Sequence, residues 1–262
     1  MKKDIKKNCI YNLDVINFLN NKVDDNSVDL AVIDPPYNMK KADWDTFKSQ
    51  DDFLKFTFDW VEALLPKLKD NSSLYIFNTA FNSAYILQFL VSNGLEFKNW
   101  IVWNKQDGIN APKSKFVNGS ETILFFTKGK PTFNFNDIRQ PYKSTDRMKH
   151  AAKKGILKNG KRWFPNPDGC LCSEIWDFSS ERHKVKVNGR VQKMKHLTPK
   201  PKDMIKRIIK ASSNKNDLVL DCFMGSGTTA VVSKKIGRNY IGTELNKDYY
   251  NLCIKALEEC DG

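Results

Sequence analysis

A chain of 262 residues, 40% hydrophobic and 12% aromatic, carries enough apolar material to bury roughly 70% of its unfolded surface in one full-sized domain, which excludes a mainly disordered protein. No apolar run approaches the roughly 18 residues of a membrane helix, and six scattered cysteines read as reduced thiols, so the expectation is a cytoplasmic protein without membrane contact. The net charge of +13 is unevenly spread: Lys128 to Lys215 holds 23 basic and 7 acidic residues, and the remainder is slightly acidic.

In chain order, the first strong signal is the β-branched run Val28 to Ile33, short enough for a buried strand and stopped by two prolines. Asp51 to Leu65 reads as a helix, with Phe53, Leu54, Phe58, Val61, Leu64 and Leu65 near the 3.6-residue period and Pro66 as its stop. A strand over 74–77, a helix over 81–91 that closes at Asn93-Gly94, and strands over 100–103 and 122–126 follow. This alternation predicts a mostly parallel sheet covered on both faces. From Gly129 to Lys195, prolines, glycines and lysines replace apolar runs, the mark of an inserted, irregular lobe. Its basic excess suits a polyanion, whose binding is driven by counterion release; a solubility patch is the plainer alternative. A helix over 202–211, a strand over 218–220, a helix after Gly227, a strand over 240–242 and a helix from Asp248 resume the pattern.

Asp34-Pro35-Pro36-Tyr37 stands where the Val28 to Ile33 strand ends. Two prolines fix φ near −65° and remove backbone donors, leaving the Asp34 carboxylate and the Asp34 and Pro35 carbonyls as acceptors. Their complement is an exocyclic amine, with Tyr37 able to stack on the base that carries it. A plain turn beside a core tyrosine is the alternative. Near the other end, Asp221 to Thr229 (DCFMGSGTT) lies between a strand and a helix. Gly225 and Gly227 permit a tight turn and a close backbone approach, and Glu244, 17 residues beyond Gly227, is placed to accept both hydroxyls of a ribose. The spacing is neither G-x-G-x-x-G nor a phosphate-binding loop with its lysine, so an adenosyl ligand without phosphates fits better than NAD or ATP. A glycine turn needed only for helix–strand packing is the competing reading. Cys222, inside this turn, reads as buried and not as a nucleophile.

With Asp34 to Tyr37 preceding Phe223-Met224-Gly225-Ser226-Gly227, and with Trp103-Asn104-Lys105 and the HLTPKP segment (His196 to Pro201) between them, the chain resembles the β class of amino-methylating DNA methyltransferases over nearly its whole length. The resemblance implies an α/β fold, a Rossmann-like class I S-adenosylmethionine-dependent methyltransferase with circularly permuted motif order. It also implies an inserted DNA target-recognition region at 129–195, between a catalytic half at 1–128 and a cofactor-binding half at 196–262. S-adenosyl-L-methionine is then the methyl donor, S-adenosyl-L-homocysteine the product, and N6 of an adenine rotated out of double-stranded DNA the target. Asp34, Pro35, Pro36 and Tyr37 take the catalytic positions. Asp14, Asp34, Lys200, Asp221, Phe223, Gly225, Ser226, Gly227, Thr228 and Glu244 take the cofactor positions; Asp14 matches by place alone, with Leu13 where the family has glycine. Thr198 to Pro201 would flank the methionyl end, with a merely superficial Lys200 as the alternative. Segments such as Gly155 to Pro167 resemble members that serve type IIS restriction-modification systems. That likeness implies the last adenine of GAAGA as target, a cognate restriction endonuclease as functional partner without required contact, and a homodimer as a further expectation.

The candidates for DNA contact are Arg139, Lys143, Arg147, Lys149, Lys153, Lys154, Lys158, Lys161, Arg162, Arg182, Lys184 and Arg190, most of them on phosphates. Trp163 and Phe164 fit either wedges between bases or a small core of the lobe. His150, His183, His196 and the pair Cys170 and Cys172 lack a zinc spacing, so no metal is expected. Cytosine-N4 methylation, RNA methylation and noncatalytic nucleic-acid binding are the rival functions.

Overall fold

In chain order the elements are β1 (Cys9–Tyr11), α1 (Val15–Lys22), β2 (Val28–Ile33), α2 (Gln50–Leu64), β3 (Leu68–Asn78), α3 (Ala80–Ser92), β4 (Glu96–Asn104) and β5 (Ser120–Thr127). The chain continues through α4 (Thr145–Lys154), β6 (Ile156–Lys158), β7 (Lys161–Trp163), β8 (Ile175–Asp177), β9 (Lys184–Val187) and β10 (Arg190–Lys193). It closes with α5 (Lys202–Ser212), β11 (Leu218–Asp221), α6 (Thr228–Lys235), β12 (Asn239–Thr243) and α7 (Lys247–Glu258). These come from a computed structural model that describes residues 6–105, 113–114, 116–181, 184–187, 190–193 and 199–260.

Eight strands form one sheet in the order β1-β12-β11-β2-β3-β5-β4-β8. Side chains alternate between its faces, as the two-residue period of a strand requires. Ala31 and Ile33 of β2 pack with Phe18, Trp60 and Leu90 under the layer α1-α2-α3, whereas Leu30 and Val32 pack with Met204, Ile205 and Ile208 of α5 on the other face. A third cluster, with Ile10, Tyr240, Cys253 and Leu257, seats α7 against the β1 edge. The helix starts are secured by side chains of the expected kind: Ser49 accepts from the N–H of Asp52 at α2, and Asn246 from those of Asp248 and Tyr249 at α7.

The sheet is mostly parallel, as expected, with β5 as its one reversed strand among the described residues. β1, β12, β11, β2 and β3 run parallel, but β5 is antiparallel to both β3 and β4, and β8 is parallel to β4. No helix lies between β4 and β5 among the described residues, so the chain returns beside β4 instead of crossing over. The segment 129–195 is also tied to the sheet: β8 adds an edge strand, Trp176 is buried, and the Arg207 guanidinium of α5 lies 5.1 Å from the Trp176 ring and 4.5 Å from Phe178. Among the described residues, that segment also holds α4, the β6–β7 hairpin and the antiparallel pair β9 and β10. Asn159 and Gly160 turn the first hairpin with φ of 49° and 73°, the pair of left-handed residues that suits a two-residue hairpin loop.

This topology sets the site. The carboxyl ends of the contiguous parallel strands β1, β12, β11, β2 and β3 lie along one edge of the sheet, so Asp14, Glu244, Asp221, Asp34 and Asn78, which end or closely follow these strands, emerge together. β2 and β11 are direct neighbours, with Leu30 paired to Val219 and Ala31 to Leu220, although their sequence positions are far apart.

Candidate active site

A cavity of about 900 Å³ opens at that edge. Its lining includes Asp34 and Pro36 from one motif, and Asp221, Phe223, Gly225, Ser226 and Thr228 from the other. Asp14, Lys200 and Glu244 also line it. The two motifs therefore share one chamber because their strands are adjacent.

On the glycine side, Gly225 has φ 51° and donates its N–H to Glu244 Oε2 at 2.8 Å, while Asn246 N–H donates to Glu244 Oε1 at 2.8 Å. Glu244 is thus fixed by backbone donors at the mouth of the turn. Burial raises its carboxyl, against the pull of those backbone hydrogen bonds. Asp221 accepts from the Phe223 N–H at 3.0 Å, and burial pushes its carboxyl up to about 7 despite that bond and one from Thr229. Gly227 is not part of the lining. Its φ is 79°, and an added Cβ would stand 2.4 Å from Cys253 Sγ, so the close seat of α7 demands glycine there. The packing reading of the glycine turn thus holds for Gly227, while Gly225 faces the cavity. Gly242 is a further such position that sequence reading missed: a Cβ would lie 2.3 Å from the Asp221 carbonyl oxygen. Asp14 caps α1, its Oδ1 accepting from the N–H groups of Ile16 and Asn17. The Cys222 thiol is buried, and burial first, then the Asp221 charge, raises its pKa well above normal.

On the other side, Asp34 Oδ1 accepts the Tyr37 hydroxyl at 2.7 Å, and Asp34 Oδ2 lies 2.8 Å from Lys200 Nζ. Pro35 and Tyr37 are buried and do not line the cavity; the Tyr37 ring is held in the core with its hydroxyl directed at Asp34. Burial, then the charges of Asp34 and Glu121, keeps that hydroxyl well above its usual pKa and therefore neutral. Lys200 is buried, which removes the superficial reading of it. Burial opposes its charge, but Asp34 and Glu121 more than compensate and raise its pKa.

Three participants were not found by motif. Asp45 is buried and receives the N–H of Tyr37 at 2.6 Å on one oxygen and those of Met39 and Lys41 on the other, which fixes the loop after the prolines. Asn82 at the start of α3 donates to the Tyr37 carbonyl at 2.8 Å. Glu121 at the start of β5 pairs with Lys105 at 2.6 Å and lies 3.4 Å from Lys200. Burial raises the Glu121 carboxyl, yet Lys200 and Lys105 outweigh it and hold it at about 2. Nothing in the local sequence around Asp45 or Glu121 marks either one.

The cavity's charge is informative. Asp14, Asp34, Asp43, Asp221 and Glu244 line it, and among the described residues Lys200 supplies the only ammonium. Such a set repels phosphates and suits a ligand with positive charge and hydroxyls, while Phe47, Phe56 and Phe223 supply an apolar wall. Among the described residues no group of three His, Cys, Asp or Glu could hold a metal ion.

Of the DNA-contact candidates, Lys143, Arg147, Lys149, Lys153, Lys154, Lys158, Lys161 and Arg162 are exposed on or near α4 and the β6–β7 hairpin. Arg162 also donates to the Lys154 carbonyl and ties the hairpin to the helix. Arg139 is half-buried and donates to the Gly169 carbonyl at 2.8 Å, so it braces the segment. Lys184 and Arg190 lie on β9 and β10; Arg182, His196 and Thr198 lie outside the described residues. Trp163 and Phe164 are exposed, with Phe164 over Gly155. No described helix is long and apolar enough to cross a membrane.

Residues 28–255 match the N6/N4 methyltransferase family model described as DNA methylase. The type II methyltransferase M1.MboII of Moraxella bovis is 61% identical over 97% of this chain and 98% of its own length. The type II methyltransferase M.HpaI of Haemophilus parainfluenzae is 34% identical over 90% of this chain and 70% of its own. Among solved structures, M1.HpyAVI in complex with SAM aligns with TM-score 0.60 and 27% identity, covering 94% of this chain and 98% of that one. The cytosine-N4-specific PvuII DNA methyltransferase aligns with TM-score 0.67 over 96% of this chain and 89% of its own, and at 15% identity that likeness speaks for the fold alone.

Proposed function

This chain belongs to the N6/N4 DNA methylase family, and from the resemblance carried by Asp34 to Tyr37 and by Gly155 to Pro167 we propose that it methylates N6 of adenine in duplex DNA, at the last adenine of GAAGA. It is a DNA methyltransferase of the type II restriction-modification kind, with a Rossmann-like fold whose cofactor half follows its catalytic half. The observation that carries the reading is the shared cavity: Asp34, fit to receive an amine, and the Gly225 turn, fit to receive an adenosyl group, line one chamber.

S-adenosylmethionine supplies a methyl group on a cationic sulfur. Glu244 is placed for its ribose, the Gly225 turn for close backbone contact, and the acidic lining for its positive charge. Asp34 holds the target amine through its hydrogens and stabilises the positive charge that builds on nitrogen as the methyl arrives. The proton leaves nitrogen during or after attack, so Asp34 need not be a strong base. Extruding the adenine costs a few kcal/mol, offset by contacts in the pocket and along the basic segment. The segment 129–195 is the recognition region in this account. The GAAGA assignment rests on the likeness of Gly155 to Pro167 to type IIS members. A cognate endonuclease and a homodimer belong to the same proposal.

The test is transfer of labelled methyl from S-adenosylmethionine to defined duplexes. Label in N6-methyladenine from a GAAGA duplex, lost when the final adenine is replaced, is expected; label in N4-methylcytosine would overturn the adenine assignment.

A further inference from the structure

Glu121 lies outside every motif that marks the site, yet its carboxylate touches three of the site's groups. Oε1 is 2.6 Å from Lys105 Nζ; Oε2 is 3.4 Å from Lys200 Nζ and 3.4 Å from the Tyr37 hydroxyl. Since Tyr37 donates to Asp34, and Asp34 pairs with Lys200, the four side chains close a ring: Tyr37, Asp34, Lys200, Glu121. The reversed direction of β5 makes this possible, because its first residues lie at the same edge as the last residues of β3 and β4.

The Lys200 ammonium sits among aromatic faces, 5.3 Å from the Tyr37 and Phe77 centroids and 5.8 Å from Trp103, with little water to share its charge. A buried ammonium with one carboxylate partner draws on that carboxylate fully, and a second partner divides the demand. Glu121 is anchored independently by Lys105, whose backbone N–H is fixed to the Gly119 carbonyl at 2.8 Å, so it stays in place as the second partner.

We propose that Glu121 is a positioning residue for methyl transfer: by sharing the Lys200 ammonium with Asp34, it leaves acceptor capacity on Asp34 for the target amine. The inference rests on the methyl-transfer reading of the cavity and adds to it a residue that never touches the substrate. Without Glu121 the ammonium turns wholly to Asp34 and competes with the amine.

The test compares wild type, Glu121→Gln and the double variant Glu121→Gln/Lys105→Met as full-length proteins, by single-turnover methylation of a GAAGA duplex and by binding of S-adenosylhomocysteine. Glu121→Gln is expected to slow the chemical step at least about 10-fold while S-adenosylhomocysteine affinity holds. The double variant strands no lysine beside β5, and it is expected to stay as slow as the single. It also carries the test if the single variant fails to fold. A wild-type rate in Glu121→Gln, or recovery of that rate in the double variant, would overturn the inference. A wild type that methylates nothing would instead remove the parent reading.

Discussion

Glu121 and Asp34 hold one ammonium from two sides, Lys200 Nζ standing 3.4 Å from Glu121 Oε2 and 2.8 Å from Asp34 Oδ2. Asp34 follows a parallel strand and Glu121 begins an antiparallel one, so the mixed sheet delivers both carboxylates to a single edge. Lys200 enters from the turn before α5. The reacting end of the cavity is therefore built from three separate stretches of chain.

Asp34→Ala removes the acceptor for the amine but leaves Glu121 to pair Lys200, so the fold and the donor site persist. Methyl transfer is expected to fall at least about 100-fold, with donor affinity retained. Equilibrium binding and single-turnover rates on the same preparation check this, and near-normal turnover would remove Asp34 from the mechanism.

Asp221 gives a pH-dependent stability. Burial first, against hydrogen bonds from Thr229 and Phe223, pushes its carboxyl up to about 7, above the usual value of about 3.9 in an unfolded chain. The native state then binds the proton more tightly than the unfolded one, so this group costs stability as pH rises from about 4 to about 7. Asp221→Asn cannot ionise. Without ligand, its melting temperature relative to wild type is expected to be higher at pH 8 than at pH 5, and an equal difference at both pH values would contradict the assignment.

Gly227→Ala places a Cβ 2.4 Å from Cys253 Sγ at φ 79°. A loss of roughly 1–3 kcal/mol from overpacking is expected, with a further cost from the left-handed backbone. Adding Cys253→Ala removes the sulfur and should restore part of the melting temperature. No recovery would mean that the close seat of α7 is not the constraint.

Lys153, Lys154, Lys158 and Lys161 are exposed at the end of α4 and on the β6–β7 hairpin. If they meet DNA phosphates, replacing all four with alanine makes the salt dependence of DNA affinity shallower, by up to about 0.9 in log–log slope for each phosphate no longer neutralised. An unchanged slope would move the DNA away from this segment.

The site was legible in sequence where chemistry is local. Asp34 to Tyr37 and the Gly225 turn each follow a short apolar strand, and the sheet needed only to set β2 beside β11 for them to meet. What stayed hidden depends on pairing across the sheet. An apolar run such as Thr122 to Phe126 gives the same signal in either direction, so neither the reversal of β5 nor the arrival of Glu121 at the site could be read. β1 and β8, each three residues long, are too short for a periodic signal, and β8 joined the sheet from a stretch that read as irregular. Asp45 serves the site through backbone N–H groups alone, a role that no residue pattern announces.

The central claim is that one cavity joins a methyl donor to an adenine amine. Base-resolution mapping of DNA from a methylation-free bacterial host expressing this chain tests it most directly. The account predicts N6-methyladenine at the final adenine of GAAGA sites, absent when Asp34→Ala is expressed. Genomic DNA that carries N4-methylcytosine instead, or no added methyl group despite folded protein, would contradict it.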